Sequence, residues 1–111
     1  MRSKFERLSK PETDFLLDNC NFSKEEVIII KMSSVGDSEI QIADKLNISL
    51  SSVAKSKSKI LGKITNFLEV ISEVTTIYVD GKRVTKDELK NHEIEIESVK
   101  KILAEKLTKK H

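Results

Sequence analysis

The feature that most constrains the fold is a pair of helix-start signals that follow closely on one another between Ser38 and Ile64. Ser38 and Gln41 have capping-box spacing, in which each side chain accepts a hydrogen bond from the backbone N–H group of the other residue. Ser49 is suited to cap a second helix. Asn47, between the two, tolerates the left-handed backbone with which a helix ends where glycine is absent. The stretch therefore predicts two short helices joined by a tight turn, which is a helix-turn-helix unit.

One face of the second helix is apolar and the others are polar. Apolar residues recur there at helical spacing and are expected to face the core: Val53, Ile60, Ile64 and Phe67. Four lysines and no acidic residue occur between Leu50 and Asn66, although the whole chain has a net charge of only +2. Positive charge concentrated on one helix favours contact with phosphate. Polar residues of this helix and its cap are predicted to contact DNA: Ser49, Ser51, Ser52, Lys55, Ser56, Lys59 and Lys63.

The same residues belong to a longer pattern that begins at Ser23. As it stands, the pattern reads Ser23-x-x-Glu26, a run of apolar residues, Gly36-x-Ser38, Ile42-Ala43-x-x-Leu46-x-Ile48-Ser49, Ser52-Val53 and Ile60-x-x-Lys63-Ile64. The stretch 23–64 resembles the helix-turn-helix of LuxR-type response regulators and is similar to the promoter-reading C-terminal domain of bacterial sigma factors. Those families usually carry Glu at the position of Gln41 and often Thr at that of Ser52. The resemblance implies binding of double-stranded DNA, with the helix that begins near Leu50 in the major groove.

Three functions are compatible with these features. The first is a sequence-specific transcriptional regulator of bacterial or phage type that binds double-stranded DNA, with a homodimer expected because such readers often match two half-sites. The second is a sigma-like adaptor that binds RNA polymerase or another protein, with DNA contact secondary. The third is a protein-interaction module that keeps the shape without binding DNA. The lysine-rich helix favours the first function, while the resemblance does not choose between families that contact polymerase and families that do not.

Two further helices are expected before the helix-turn-helix unit. Residue pairs with capping-box spacing mark their starts: Ser9 with Glu12, and Ser23 with Glu26. The first helix is predicted over about residues 10–19. The second is predicted to stop at Gly36, a residue suited to a left-handed C-cap. Because this second helix is rich in apolar residues, we interpret it as a buried support for the unit that follows.

A β-hairpin is predicted after the helical part. Residues 75–79 are strand-like, and Asp80-Gly81 is a strong signal for a two-residue hairpin turn. Counting outward from the turn places Ile77 opposite Val84, as an apolar cross-strand pair. Since an isolated hairpin is marginal in water, it is expected to pack on the helices or on a second copy of the chain.

Two points between the helices and the hairpin tip stay open. Gly62 either breaks the long helix or lies within it, because glycine in a helix interior costs only about 1 kcal/mol relative to alanine. Lys82 and Arg83 near the hairpin tip are interpreted as a solvated turn, with a wing that contacts the DNA backbone as the alternative.

A short helix capped by Thr85 and a last helix over about residues 93–109 are expected to complete the chain. The last helix carries an apolar stripe with members Ile96, Val99, Leu103 and Leu107. This stripe either completes the core of one chain or forms a dimer seam, and the dimer is preferred. Ile94 falls outside the stripe, and the alternation around it is also compatible with a third strand.

Composition excludes several classes of protein. Cys20 is the only cysteine, so an internal disulfide is excluded and the residue is interpreted as a small buried filler. No apolar run approaches the roughly 20 residues that span a bilayer, and the residues after Met1 do not resemble a signal peptide. A cytoplasmic protein without membrane contact is therefore expected. Two histidines and the lack of a nucleophile–base set argue against a metal site, a cofactor and an enzyme.

Together these features predict a mainly α-helical protein, a helix-turn-helix bundle with a C-terminal β-hairpin and a terminal helix. Residues 1–74 are expected to form the DNA-binding domain, and residues 75–111 an appendage for dimerisation or another interaction. Since no receiver or ligand-binding domain is recognised, regulation is expected to come from protein concentration or from a partner.

Overall fold

The computed structural model describes residues 4–71 and 77–108, and the side chains of residues 5–71 and 77–103. In chain order the elements are α1 (Lys4–Arg7), α2 (Lys10–Asn19), α3 (Lys24–Ser34), α4 (Glu39–Leu46), α5 (Leu50–Val70), β1 (Ile77–Val79), β2 (Lys82–Val84), a 3-10 helix (Lys86–His92) and α6 (Ile96–Thr108). The predicted fold class, mainly helical with a C-terminal hairpin and a last helix, is confirmed.

Local side-chain caps begin most of these helices. Complete capping boxes are formed at four N-caps, Ser9, Ser23, Ser38 and Thr85. Ser49 caps α5 by accepting a hydrogen bond from the N–H group of Ser52 at 3.1 Å. Two predicted helix ends are also present, since Asn47 has φ 57° after α4 and Gly36 has φ 98° after α3. The helix-turn-helix unit is therefore bounded by the residues that its sequence predicts.

Helix α5 runs unbroken through Gly62. Its buried residues follow one face along its whole length: Val53, Ile60, Ile64 and Leu68. The ring of Phe67 packs against that of Phe15 in α2, with 5.6 Å between ring centroids. Because packing on this face continues on both sides of Gly62, the small local cost of a glycine does not interrupt the helix. Helix α4 packs on α5, and α3 contacts both.

The hairpin docks on α2. Its register pairs Ile77 with Val84, as predicted, and both side chains are buried. Asn19, the last residue of α2, accepts a hydrogen bond from the N–H group of Tyr78 at 2.9 Å and donates one to the carbonyl of Tyr78 at 2.7 Å. The side-chain amide thus closes the free edge of β1 as a neighbouring strand would. Of the two supports expected for the hairpin, the helices are therefore the one observed.

The last helix begins later than predicted. It starts at Ile96 because Glu93 adopts a left-handed conformation, with φ 61°, as the C-cap of the 3-10 helix. Ile94 is 1% exposed, and its N–H group donates to the carbonyl of Leu89 at 3.0 Å. Ile94 therefore fills the core between two helices. The alternative of a third strand at this position is wrong.

The helical part and the C-terminal part share one hydrophobic cluster. It joins Phe5 and Ile29 to Ile77 and Val99. Val99 and Leu103, two members of the predicted terminal stripe, are buried within this cluster, so they complete the core of a single chain. A dimer seam formed by Val99 and Leu103 is therefore wrong, because a single chain buries both. The homodimer itself, and the division into a domain of residues 1–74 and an appendage of residues 75–111, stay predictions.

Several predicted features lie outside the described residues. They are the strand start at Thr75 and Thr76, the boundary between residues 74 and 75, the last residue of the predicted terminal helix, and the side chain of Leu107. Within the described ranges, no helix combines the length and the apolar character that crossing a bilayer requires.

Candidate nucleic-acid interface

Helix α5 is held along two sides and open along a third. On one side, Nζ of Lys57 lies 3.4 Å from Oε2 of Glu39 in α4. On another, Nζ of Lys63 lies 2.6 Å from Oε1 of Glu26 in the first turn of α3. The buried stripe that contains Ile60 lies between these two ion pairs. The side opposite that stripe therefore faces solvent.

Small and basic side chains occupy this exposed side. On a helix surface, residues three, four and seven positions apart are neighbours. The neighbours of Lys55 are therefore Ser51, Ser58, Lys59 and Gly62. We define the open face of α5 as six exposed residues on this side: Ser51, Ala54, Lys55, Ser58, Lys59 and Gly62. Up to Gly62 this side of α5 contains no acidic side chain, and four of the six members of the open face are small; Glu69, seven residues after Gly62, is the first acidic residue on it. Because the four small members are short, another molecule can approach the backbone of α5 closely on this face.

The lysines of α5 are of two kinds. Lys57 and Lys63 form ion pairs within the fold, and the side chain of Lys57 is only 16% exposed. Lys55 and Lys59 are exposed and have no ion-pair partner among the described residues. They lie one turn apart, a spacing at which like charges cost a helix about 0.2–0.5 kcal/mol. The uncompensated positive charge of α5 is therefore on the open face.

Lys63 connects α5 with the α2–α3 junction. Besides its contact with Glu26, its Nζ donates a hydrogen bond to the carbonyl of Asn21 at 3.1 Å and lies 6.0 Å from the ring centre of Phe22. Oε1 of Glu26 also accepts the N–H group of Ser23 at 2.9 Å, as part of the capping box. These contacts give Lys63 a role within the fold, and its contact with DNA stays a prediction.

The carboxylate of Glu26 stays charged although it is buried. Burial raises the pKa of Glu26, but hydrogen bonds from Lys63 and Ser23 and the charge of Lys63 outweigh that effect. The pKa therefore lies below its ordinary value of 4.5. Nearby, burial raises the pKa of the Cys20 thiol to about 12, against the opposing charge of Lys63. A thiol that stays protonated at neutral pH fits the interpretation of Cys20 as a filler.

The predicted serines lie in different environments. Ser51 is exposed on the open face. The Ser49 hydroxyl donates to Oγ of Ser52 at 2.8 Å while it caps α5, and Ser52 is half-buried. Ser56 is half-buried and donates to Oε1 of Glu25 in α3 at 3.4 Å. The structure thus brings Ser51 together with Lys55 and Lys59 on the open face, although the Ser51 hydroxyl also lies 3.1 Å from that of Ser49. Ser49, Ser52, Ser56 and Lys63 bond to protein groups outside the open face.

Three members of the open face are absent from the sequence-based set. They are Ala54, Ser58 and Gly62, all exposed. Helical spacing from Lys55 is the signal that finds Ser58 and Gly62, since they follow it by three and seven residues. Ala54 and Gly62 are absent from that set because their side chains neither donate nor accept hydrogen bonds, whereas Ser58 has a hydroxyl group like the serines within it. On a helix that enters a groove, small side chains matter through the close approach that they permit.

Comparisons with protein-family models, with curated proteins and with solved structures found no match to the chain.

Proposed function

We propose that the chain is a sequence-specific double-stranded DNA-binding protein that regulates transcription, with the open face of α5 in the major groove. One observation carries the proposal. Of the four lysines on α5, the two that form no ion pair within the described part of the chain, Lys55 and Lys59, share one face with small side chains. Lys57 and Lys63 stabilise the fold through ion pairs, whereas the charges of Lys55 and Lys59 are left available to a partner.

The dimensions of the helix support this placement. An α-helix with its side chains is about 10–12 Å across, and the major groove of B-DNA is about 12 Å wide. Ser51, Ser58 and Gly62 keep the open face slim, so that the backbone of α5 approaches base edges. Lys55 and Lys59 contact phosphate or guanine, and the hydroxyl of Ser51 supplies a shorter contact.

The start of α5 adds to the attraction for phosphate. Its first turn contains no acidic residue, and its first N–H groups point towards the turn that follows Asn47. The N-terminal end of a helix carries a partial positive charge that favours anions. Lys55 lies in the second turn, so the helix end and the lysine act on the same stretch of DNA backbone.

Selection of bound duplexes from a random pool tests the proposal. We expect an enriched motif that survives near-physiological salt. The variant Lys55→Gln/Lys59→Gln is expected to lose the enrichment, and Lys90→Gln/Lys101→Gln is the matched control because it removes two exposed lysines from other elements. A palindromic motif would indicate the homodimer. If the chain binds duplexes without enriching any motif, and if that binding is lost at near-physiological salt, the chain is not a sequence-specific reader.

A sigma-like adaptor is the second candidate function, and one observation favours it. Val35 is 76% exposed and Ile40 is 70% exposed, at the junction between α3 and α4. Large apolar side chains with this exposure on a helix-turn-helix unit suit contact with another protein. Co-purification with RNA polymerase that is lost in Val35→Ser/Ile40→Ser would support this function, which would be cytoplasmic like the first.

A further inference from the structure

The hairpin of β1 and β2 forms an arm that hydrogen bonds fix to α2. Asp80 and Gly81 at its turn have φ values of 54° and 76°, the left-handed conformation that a tight two-residue turn requires. The N–H group of Asp80 donates to Oδ2 of Asp18 at 2.8 Å, and the amide of Asn19 holds both backbone groups of Tyr78. The arm is thus tied to the last turn of α2 at its tip and along one strand.

This arm lies on the side of α5 that carries Lys63. Asn21 follows Asn19 by two residues, so their Cα atoms are at most about 7.6 Å apart. The carbonyl of Asn21 accepts a hydrogen bond from Nζ of Lys63 at 3.1 Å. Lys59 precedes Lys63 by four residues, about 6 Å along the helix axis. A short, continuous path therefore leads from the hairpin through the end of α2 to the basic part of α5.

The hairpin presents exposed basic side chains near its tip, Arg83 on the outward face and Lys82 on the other. Because Ile77 and Val84 face the core, the pleat turns Tyr78 and its cross-strand partner Arg83 to the opposite side. Tyr78 is 39% exposed and Arg83 is exposed on this outward side, while Lys82, opposite the half-buried Val79, is exposed at the edge of the other face. Asp80 is the only acidic residue in the segment 77–84, which has two basic residues and a net charge of 2 − 1 = +1.

Resting on the proposed function, we propose that the hairpin is a second DNA contact, which binds the sugar-phosphate backbone beside the groove that α5 occupies. Arg83 and Lys82 contact phosphates, for which the planar guanidinium of arginine is well shaped. Tyr78 donates its hydroxyl to a neighbouring phosphate. Contacts of this kind carry no sequence information but set the orientation of the reading helix. Under this proposal Lys82 and Arg83 contact the DNA backbone, whereas the sequence alone favours a solvated turn at these residues.

The test compares the salt dependence of duplex binding between variants of the full chain. Lys82→Gln/Arg83→Gln removes two exposed charges, and we expect an unchanged thermal midpoint. The slope of log K against log salt concentration should fall in magnitude by about 0.9 for each phosphate contact, or about 1.8 in total. Tyr78→Phe should weaken binding about 2–10-fold, the effect of one hydrogen bond, without changing the slope. The control Lys90→Gln/Lys101→Gln should keep the original slope.

The outcomes separate this proposal from the proposed function. If the hairpin variants keep the original affinity and slope while Lys55→Gln/Lys59→Gln loses binding, the hairpin is a solvated turn and α5 alone contacts DNA. If the unchanged chain binds no duplex, both proposals fail. If the control lowers the slope as much as Lys82→Gln/Arg83→Gln, the effect comes from net charge, and the hairpin contact is overturned.

Discussion

Nζ of Lys63 lies 2.6 Å from Oε1 of Glu26, and this contact joins the middle of α5 to the first turn of α3. The same carboxylate oxygen accepts the N–H group of Ser23. One side chain therefore begins the support helix and anchors the helix that we propose to read DNA. On the side of α4, the ion pair between Lys57 and Glu39 has the corresponding position. These pairs orient α5 so that its open face points away from the protein.

Removal of the Lys63 ammonium group should destabilise the fold. In Lys63→Met, Glu26 is left buried with a charge that only the capping box stabilises. We expect the free energy of unfolding to fall by about 1.5–3 kcal/mol, the range for a hydrogen bond to a charged group. Urea denaturation measures this change. The control Lys59→Met, at an exposed position, should stay within about 0.5 kcal/mol. Equal stability of the two variants would contradict a structural role for Lys63.

The ion pair should also make stability depend on pH. Because the pKa of Glu26 is lower in the folded chain than its ordinary value of 4.5, its contribution is complete above pH 4.5 and is lost as the pH falls through the folded-state pKa. Glu26→Gln should keep the capping box, since Gln41 forms the same box in α4. We expect this variant to be less stable than the original chain at pH 7.

Denaturation curves at several pH values between 7 and 3 test this dependence. The stability difference between the original chain and Glu26→Gln should shrink as the pH falls below 4.5, because protonation then removes the charge of Glu26, which the variant lacks at every pH. A difference that stays constant over this range would show that the charge of Glu26 does not contribute to folding.

Local signals in the sequence predict helix boundaries well, whereas distant contacts leave no such signal. A capping box such as Ser23 with Glu26 spans three residues, so its spacing is visible in the sequence. The contact between Lys63 and Glu26 spans 37 residues and that between Asn19 and Tyr78 spans 59. Nothing in the local pattern distinguishes Lys63 from Lys59.

The start of the last helix shows another limit of the sequence. Glu93 adopts a left-handed conformation that is uncommon for residues other than glycine. The acidic residues around it resemble a helix start. Burial of Ile94 in the core favours the left-handed conformation of Glu93. That burial depends on packing against elements distant in the sequence.

Gly62→Ala should stabilise the chain. Gly62 lies inside α5, and no heavy atom is within 4 Å of the position of an added Cβ atom. Alanine in a helix interior is more favourable than glycine by about 0.5–1 kcal/mol. We expect the midpoint of thermal or urea unfolding to rise accordingly. A lower midpoint would contradict the continuous helix. A loss of DNA affinity in the stabilised variant would indicate that the groove approaches α5 at this residue.

Asn19→Ala should loosen the hairpin. The amide of Asn19 donates to the carbonyls of Phe15 and Tyr78 and accepts the N–H group of Tyr78. Loss of these bonds should lower the free energy of unfolding by about 1–3 kcal/mol. It should also accelerate hydrogen exchange at the Tyr78 amide. Asn66→Ala, at an exposed position in α5, is the control. Unchanged exchange at Tyr78 in Asn19→Ala would show that the hairpin does not need this bridge.

Contact between the open face of α5 and DNA is tested by measuring duplex affinity against salt concentration for Lys55→Gln/Lys59→Gln and for Lys90→Gln/Lys101→Gln. Both variants lose two positive charges, but only the first loses them from the open face. We predict that the first variant binds more weakly and that its slope of log K against log salt concentration falls in magnitude by about 1.8. The second should bind like the original chain. Equal slopes in all three proteins would contradict the proposal that the open face of α5 contacts DNA.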